Sequence, residues 1–319
     1  MAKTAHIPVM LNEVIEALAP HDNGIHVDGT FGRGGYARGL LEAADCRVYG
    51  IDRDPDAIVA GRKLADTFKP RLTLLHGPFG AMDILLAGEQ VRAVDGVALD
   101  LGVSSPQIDD PERGFSFQAD GPLDMRMSRS GPSAADAVNT LAEKELADII
   151  FRYGEEHHAR RVARRIAEAR AETPITRTRQ LAGIVRRAVP RAADGIDPAT
   201  RTFQALRIYV NDELGELRRG LAAAESLLKP QGRLAVVSFH SLEDRAVKDF
   251  LRRRSESGAG LSRHLPAAND PRPAPSFRLL TRKPQTPSAE DIRDNPRARS
   301  AKLRVAERTD APVLRESAA

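Results

Sequence analysis

The stretch GIHVDGTFGRGGY, residues 24–36, decides how the rest of the chain is read. A short apolar run, Gly24-Ile25-His26-Val27, ends at Asp28, and a turn carrying Gly29, Gly32, Gly34 and Gly35 opens a segment of helical character. The order predicted is strand, tight loop, helix. Glycine suits such a loop because its backbone takes positive φ and lets a ligand approach more closely than a Cβ permits. The loop is a cradle for an anionic or hydroxyl-rich ligand.

Working outward, Gly32-Arg33-Gly34-Gly35-Tyr36-Ala37 fits the dinucleotide pattern G-x-G-x-x-G/A, and Asp52 follows the next strand twenty residues after Gly32. A carboxylate there can hold both hydroxyls of a ribose. A nicotinamide dinucleotide and S-adenosylmethionine both carry that ribose. Asp28, at the strand end with glycines four and six residues later, tilts the choice toward a methyltransferase loop. A dehydrogenase and a purely structural glycine turn stay open at this point.

Composition narrows the class. A chain of 319 residues accommodates one large domain and a smaller one, each with a core. One cysteine, Cys46, excludes an intrachain disulfide and a cysteine-built metal site, which suits a reducing cytoplasm. No apolar run reaches the roughly 20 residues of a membrane span, and the start lacks a secretory signal pattern, so a soluble cytoplasmic protein is expected. A net charge of +4 and a pI near 9.4 are compatible with a polyanionic partner.

Along the chain, Leu11–Leu18 reads as a leading helix, and strands are expected at 24–28, 47–52, 72–76 and 94–100, separated by helical stretches. Asp54-Pro55 reads as cap and first helical residue of a helix lasting to about Phe68. This alternation predicts a parallel sheet with helices on both faces. Ligands then sit beyond the carboxyl ends of the strands, where Asp28, Asp52, Phe79 and Asp100 all fall. From 107 the alternation breaks. Residues 107–135 read as a long ordered loop; helices follow from a Thr140–Glu143 capping box, from Glu155 to about Ala171, and from Thr176 to Val189. The division expected is 1–106 with 208–319 for one domain, and 107–207 for an inserted helical subdomain. A helix from Asp197 continues or bends into 212–228, a fifth strand runs over 233–240, and a helix over 242–254. Residues 255–275 are expected to be mobile, 277–280 and 301–306 to form an antiparallel pair, and the last dozen residues to fray.

Chemistry points to strand four, which ends in Asp100-Leu101-Gly102-Val103-Ser104-Ser105-Pro106-Gln107. The turn loosely resembles the Ser/Asp-Pro-Pro-aromatic loop of enzymes that methylate amino groups on bases, without the aromatic residue. An exocyclic amine shares its lone pair with the ring and is a poor nucleophile. Acceptors that hold its hydrogens out of plane localise that pair for in-line attack on a sulfonium methyl. Asp100, Ser104, Ser105 and the loop carbonyls are the candidates, with a satisfied strand-end turn as the alternative. Glu155-Glu156-His157-His158 lacks metal-site spacing and reads as an exposed helix face. Ser238-Phe239-His240-Ser241 lacks the elbow of a serine hydrolase and reads as pocket wall or substrate positioning. Arg160, Arg161, Arg164, Arg165 and Arg170 recur at helical offsets, with Arg186 and Arg187 on the next helix; a solvated face paired to Glu155, Glu156 and Glu168 explains part of this, and phosphate contact would explain the surplus of arginine.

The blocks DGTFGRGGY (28–36), IDRDPDAI (51–58), HGPF (76–79), DLGVSSPQ (100–107), RGFSF (113–117), GPLDMRM (121–127), TRTFQALRI (200–208), SFHSLEDR (238–245) and NPRARSAKLR (295–304) span nearly the whole chain. In this order the chain resembles the bacterial ribosomal RNA small subunit methyltransferase H family. The resemblance implies a Rossmann-like class I S-adenosylmethionine-dependent methyltransferase sheet with an inserted all-helical subdomain. The activity implied is methylation of N4 of a decoding-centre cytidine in 16S rRNA, with an assembled small ribosomal subunit as partner. By position, the cofactor contacts implied are Gly34, Gly35, Tyr36, Asp52, Phe79, Asp100 and Gln107. Tyr36 stands where the family commonly has histidine, which is harmless if the contact is made by the backbone N–H. The sequence leaves a monomer and a homodimer both open.

Overall fold

The computed structural model describes residues 8–190, 195–256 and 274–314. A leading helix α1 (Leu11–Leu18) precedes β1 (Ile25–Asp28), α2 (Gly35–Ala43), β2 (Arg47–Asp52), α3 (Pro55–Thr67), β3 (Leu72–His76), α4 (Met82–Gly88) and β4 (Val94–Asp100). Helices α5 (Ser105–Asp109), α6 (Ala134–Thr140), α7 (Glu143–Gly154), α8 (Ala159–Glu172), α9 (Thr178–Ala188) and α10 (Ala199–Asn211) follow. The chain then returns through α11 (Glu213–Leu227), β5 (Leu228–Ser238), α12 (Ser241–Ser255), β6 (Phe277–Leu279), α13 (Ala289–Asp294) and β7 (Lys302–Arg308). It separates into two compact units, Met1–Gly102 with Gly215–Ala319, and Val103–Leu214.

In the first unit seven strands form one sheet in the order β3-β2-β1-β4-β5-β7-β6. The first five are mutually parallel, and β7 runs antiparallel to both β5 and β6. Dinucleotide folds use 3-2-1-4-5-6. The reversed seventh strand between the fifth and sixth makes this the class I methyltransferase sheet and removes the ambiguity left by the glycine pattern. The expected antiparallel pair at 277–280 and 301–306 is present.

Alternation along the strands divides the core. Val97 and Leu99, with Leu234 and Val236, pack with Met82, Leu86, Leu217, Leu221, Val247 and Phe250 on one face. Ala98, Ala235 and Val237 pack with Val14, Leu18, Leu40 and Leu64 on the other. Successive side chains point to opposite faces, so both faces of these strands must be apolar, as sheets covered on both sides require. Asp54 caps α3, accepting from the Asp56 amide at 3.0 Å, with Pro55 at the first helical position.

The second unit builds its own core from Leu123, Met125, Val138, Leu146, Ile150, Val162, Ile166, Leu181, Val185, Phe203 and Leu206. Residues 107–135 are ordered, as expected, by buried polar bonds. The Arg113 guanidinium donates to the carbonyls of Arg126 and Met127, and the Asn211 amide group donates to the Met125 carbonyl.

Four expectations require correction. Thr140 does not cap a helix; it ends α6, whose own cap is Ser133, accepting from the Asp136 amide at 3.1 Å. Residue Glu155 does not begin α8, because it adopts a left-handed conformation after α7 (φ 51°), and α8 starts at Ala159. Glu156 is not on an exposed face; it is buried and accepts from the His158 amide at 2.7 Å. The tail does not fray at once, since the Leu314 amide donates to the buried Glu225 carboxylate at 3.1 Å. Most of the 255–275 segment and residues 315–319 lie outside the described residues.

Candidate active site

Strand register sets the geometry. Asp28 pairs with Gly50 of β2 on one side and Ala98 of β4 on the other. Asp52 and Asp100 therefore stand two residues further along on either side of it, and three carboxyls converge at the carboxyl ends of neighbouring parallel strands.

The central one, Asp28, is 1 % exposed. Its Oδ2 accepts from the Ala37 amide at 3.1 Å and its Oδ1 from the Thr30 amide at 3.3 Å. Ala37 lies in the first turn of α2, whose amides have no partner within the helix, so Asp28 acts as a cap from outside. Burial pushes its carboxyl up to about 7, the Ala37 and Thr30 amides pull it back, and neighbouring Asp52 raises it.

Asp52 accepts from the Gly32 amide (Oδ2, 2.7 Å) and the Asp54 amide (Oδ1, 2.8 Å). Burial raises its carboxyl above the ordinary range, against the pull of those two amides. A carboxylate offers about four lone-pair sites, so both oxygens retain acceptor capacity. Asp100 differs. Its Oδ1 is buried and has no hydrogen-bond partner among the described residues. Burial first, then the charges of Asp28 and Glu243, hold its carboxyl well above the usual range. The Asp100 amide donates to Thr30 Oγ1 at 2.6 Å, so one threonine ties β1's loop to β4's tip.

The glycine loop is folded around a ring. Phe31 is buried, and Cβ atoms added at Gly34, Gly50 or Gly61 would stand 2.6, 2.5 and 2.4 Å from it. Gly34 also takes positive φ, 73°. A Cβ at Gly35 would collide with Pro8 at 1.9 Å. These glycines thus admit the protein's own side chains, in addition to the ligand approach inferred from the pattern. Tyr36 turns its side chain inward, the hydroxyl donating to the Val9 carbonyl at 2.5 Å. A role for Tyr36 at the site falls to its backbone N–H.

Phe79 follows β3 in a short 3-10 turn, packed so closely on Gly220 that a Cβ there would lie 2.3 Å from the ring. The next amide, Gly80, donates to buried Glu216 at 2.7 Å, and Glu216 is ion-paired with Arg219 at 2.9 Å. At the tip of β5, the Glu243 carboxylate accepts from the Phe239 amide at 2.8 Å and closes the capping box of α12, whose N-cap is His240. The remaining residues, Ser104, Ser105 and Gln107, belong to the second unit, where Gln107 Oε1 accepts from the Ser104 amide at 3.0 Å and opens α5. A cleft of about 640 Å³ in that unit is lined by Phe117, Gln118, Arg179, Arg186, Asp197 and Thr200.

Sequence reasoning missed Thr30, Phe31 and Glu216. Thr30 had a signal, a hydroxyl two residues past Asp28. Glu216 had none, because its contact spans 136 residues.

A family model described as the MraW methylase family matches residues 3–309. A protein of Paramagnetospirillum magneticum called "Ribosomal RNA small subunit methyltransferase H" is 61 % identical over 313 residues, covering 98 % of each chain. Proteins with the same name from Rhodospirillum rubrum and Rhodospirillum centenum are 60 % and 63 % identical over 98 % of this chain and 97 % and 95 % of theirs. With the reversed seventh strand and the acidic strand tips, a match of this extent leaves one assignment: the chain belongs to the MraW methylase family.

Proposed function

We propose that this chain transfers a methyl group from S-adenosylmethionine to the N4 amine of a decoding-centre cytidine in the 16S rRNA of the small ribosomal subunit. The observation that carries the reading is the buried, unpartnered Asp100 Oδ1 beside Asp28 at the strand tips. A buried acceptor without a donor is unfavourable unless a ligand supplies one. The relatives' names support the substrate, and family membership supports the reaction.

The residues fit the donor. Bound there, it would supply an electrophilic methyl on a positively charged sulfur. Asp52 has spare acceptor sites for both ribose hydroxyls. Phe79 offers an apolar wall. The amides of Gly35 and Tyr36 open α2, where helix geometry leaves N–H groups to an external acceptor, and Gly34 provides the turn that exposes them. The three carboxyls favour a cation in this site.

Asp100 accepts an N–H of the target amine, which localises the nitrogen lone pair for attack. Ser104 and Ser105 are assigned the same acceptor function, and Gln107 a cofactor contact through its part in the turn they form. The second unit is assigned to RNA recognition. The test is to incubate the protein with labelled donor and either small subunits or naked 16S rRNA lacking the modification, then map the methylated nucleotide. Label on N4 of a single cytidine is expected; unaltered cytidine in both substrates would sink the reading.

A further inference from the structure

Helix α8 carries Arg160, Arg161, Arg164 and Arg165 exposed, while Val162, Ala163 and Ile166 are buried in the core of the second unit. The arginines fall at i, i+1, i+4 and i+5, two neighbouring rows along one side. Within each row the helical rise separates the anchoring Cα atoms by about 6 Å. That interval is of the order of the spacing between successive phosphates on one RNA strand.

The helix neutralises these cations only in part. Glu168 serves Arg165 at 2.8 Å and Arg164 at 3.8 Å. Among the described residues Arg160 and Arg161 have no ion pair. They also sit in the first turn of α8, which contains no acidic residue. That is the positive end of the helix dipole, where anionic side chains stabilise and cationic ones destabilise. The stability of α8 alone would favour glutamate at both positions. Just before it, at the end of α7, Phe151 is 57 % exposed and Arg152 is exposed as well. An exposed aromatic ring on the helix that precedes these arginines suits a partner with both phosphates and bases.

We propose that the arginine face of α8 is a docking surface for the sugar–phosphate backbone of ribosomal RNA, at nucleotides other than the one modified. Planar guanidinium forks match phosphate oxygens bidentately, which a single ammonium does not. The proposal deepens the function proposed above and rests on its RNA substrate. Docking here positions the particle and carries no sequence information, so its energetic signature is ionic.

The test measures binding of the full-length protein to small subunits from a strain lacking the modification, across a salt series. The Arg160→Gln/Arg161→Gln double variant is expected to bind at least 10-fold more weakly at about 0.1 M salt. Its slope of log affinity against log salt should fall by about two, one for each phosphate left without its arginine. Its melting temperature and donor affinity should not fall, because the substitutions relieve a charge misplaced on the helix dipole. Arg62→Gln/Lys63→Gln, an equal loss of exposed charge on α3, should leave the slope unchanged. An unaltered slope in the α8 variant overturns the proposal, as does weaker binding at constant slope, which would mark a protein contact. Wild-type protein that neither binds nor methylates the particle would instead overturn the RNA substrate itself.

Discussion

Asp52 Oδ2 accepts a hydrogen bond from the Gly32 amide at 2.7 Å, so a spacing of twenty residues in sequence is a direct contact in space. The acid holds the glycine loop in shape, and its spare acceptor sites are the ones proposed for a ribose. Asp52→Ala removes both roles and should weaken S-adenosylmethionine binding by about 1–3 kcal/mol, the scale for losing a charged hydrogen-bond partner. Isothermal titration checks it, and unchanged affinity would detach Asp52 from the ribose.

Asp100 has the opposite balance, costly to the fold and assigned above to the chemistry. Asp100→Asn replaces a buried carboxyl that has an unpartnered oxygen. The variant should melt no lower than the parent, while turnover on small subunits drops by roughly 10²-fold or more, the range for losing a positioned polar group in the transition state. Full activity would remove Asp100 from the reaction.

Proton release offers a readout independent of turnover. Burial pushes the Asp28 carboxyl up to about 7 and raises that of Asp100 as well, so at pH 7 Asp28 has a proton to give up. A sulfonium placed among them favours the charged forms. Binding of S-adenosylmethionine at pH 7 should therefore release protons, seen as a dependence of binding heat on the buffer's ionisation enthalpy. S-adenosylhomocysteine, which lacks the positive charge, should release fewer. Equal release by both would show that the carboxyls do not sense the sulfur.

Much of this was legible before the fold was known. Strands one to four announced themselves as short, largely apolar runs ending in Asp or a turn, because strands covered on both faces are predominantly apolar. The site acids stood where those runs stopped. What failed was local chemistry with two solutions. Thr140 precedes a glutamate at capping distance, yet Ser133 caps a helix that consumes it. Likewise Glu155 continues a helical pattern on paper but adopts a left-handed turn. Contacts such as Glu216 with Gly80 depend on tertiary placement alone and leave no trace in spacing.

Two buried groups give opposed pH dependences. His26 has no hydrogen-bond partner for either ring nitrogen among the described residues, and burial, aided by His21 and Lys229 and opposed by Asp95, lowers it from 6.5 to about 4. Its contribution to stability is full above pH 6.5 and is lost as pH falls toward 4, by about 3 kcal/mol. Asp28 is raised from 3.8 to about 7, so its contribution is full below pH 3.8 and is lost as pH rises through 7, by about 4 kcal/mol. Between pH 4 and 6.5 the two slopes oppose each other. His26→Leu should unmask a stability that falls with rising pH, and Asp28→Asn one that falls less steeply or rises. Urea unfolding at several pH values checks both; parallel profiles for parent and variants would refute the assignment.

The pairing of β4 with β5 has a consequence for biosynthesis. Gly96 lies opposite Arg233 and Val237 opposite Leu303, so the sheet cannot finish until the last tenth of the chain has emerged. At roughly 5–20 residues per second, the nascent β4 edge stays open for about 7–26 s after it is made. During that interval an apolar strand with unsatisfied amides is exposed, while the helices of the second unit can already close on one another through local contacts. Chains truncated at residue 227 and released from the ribosome should therefore show a protease-resistant 103–214 fragment and a digestible amino-terminal third.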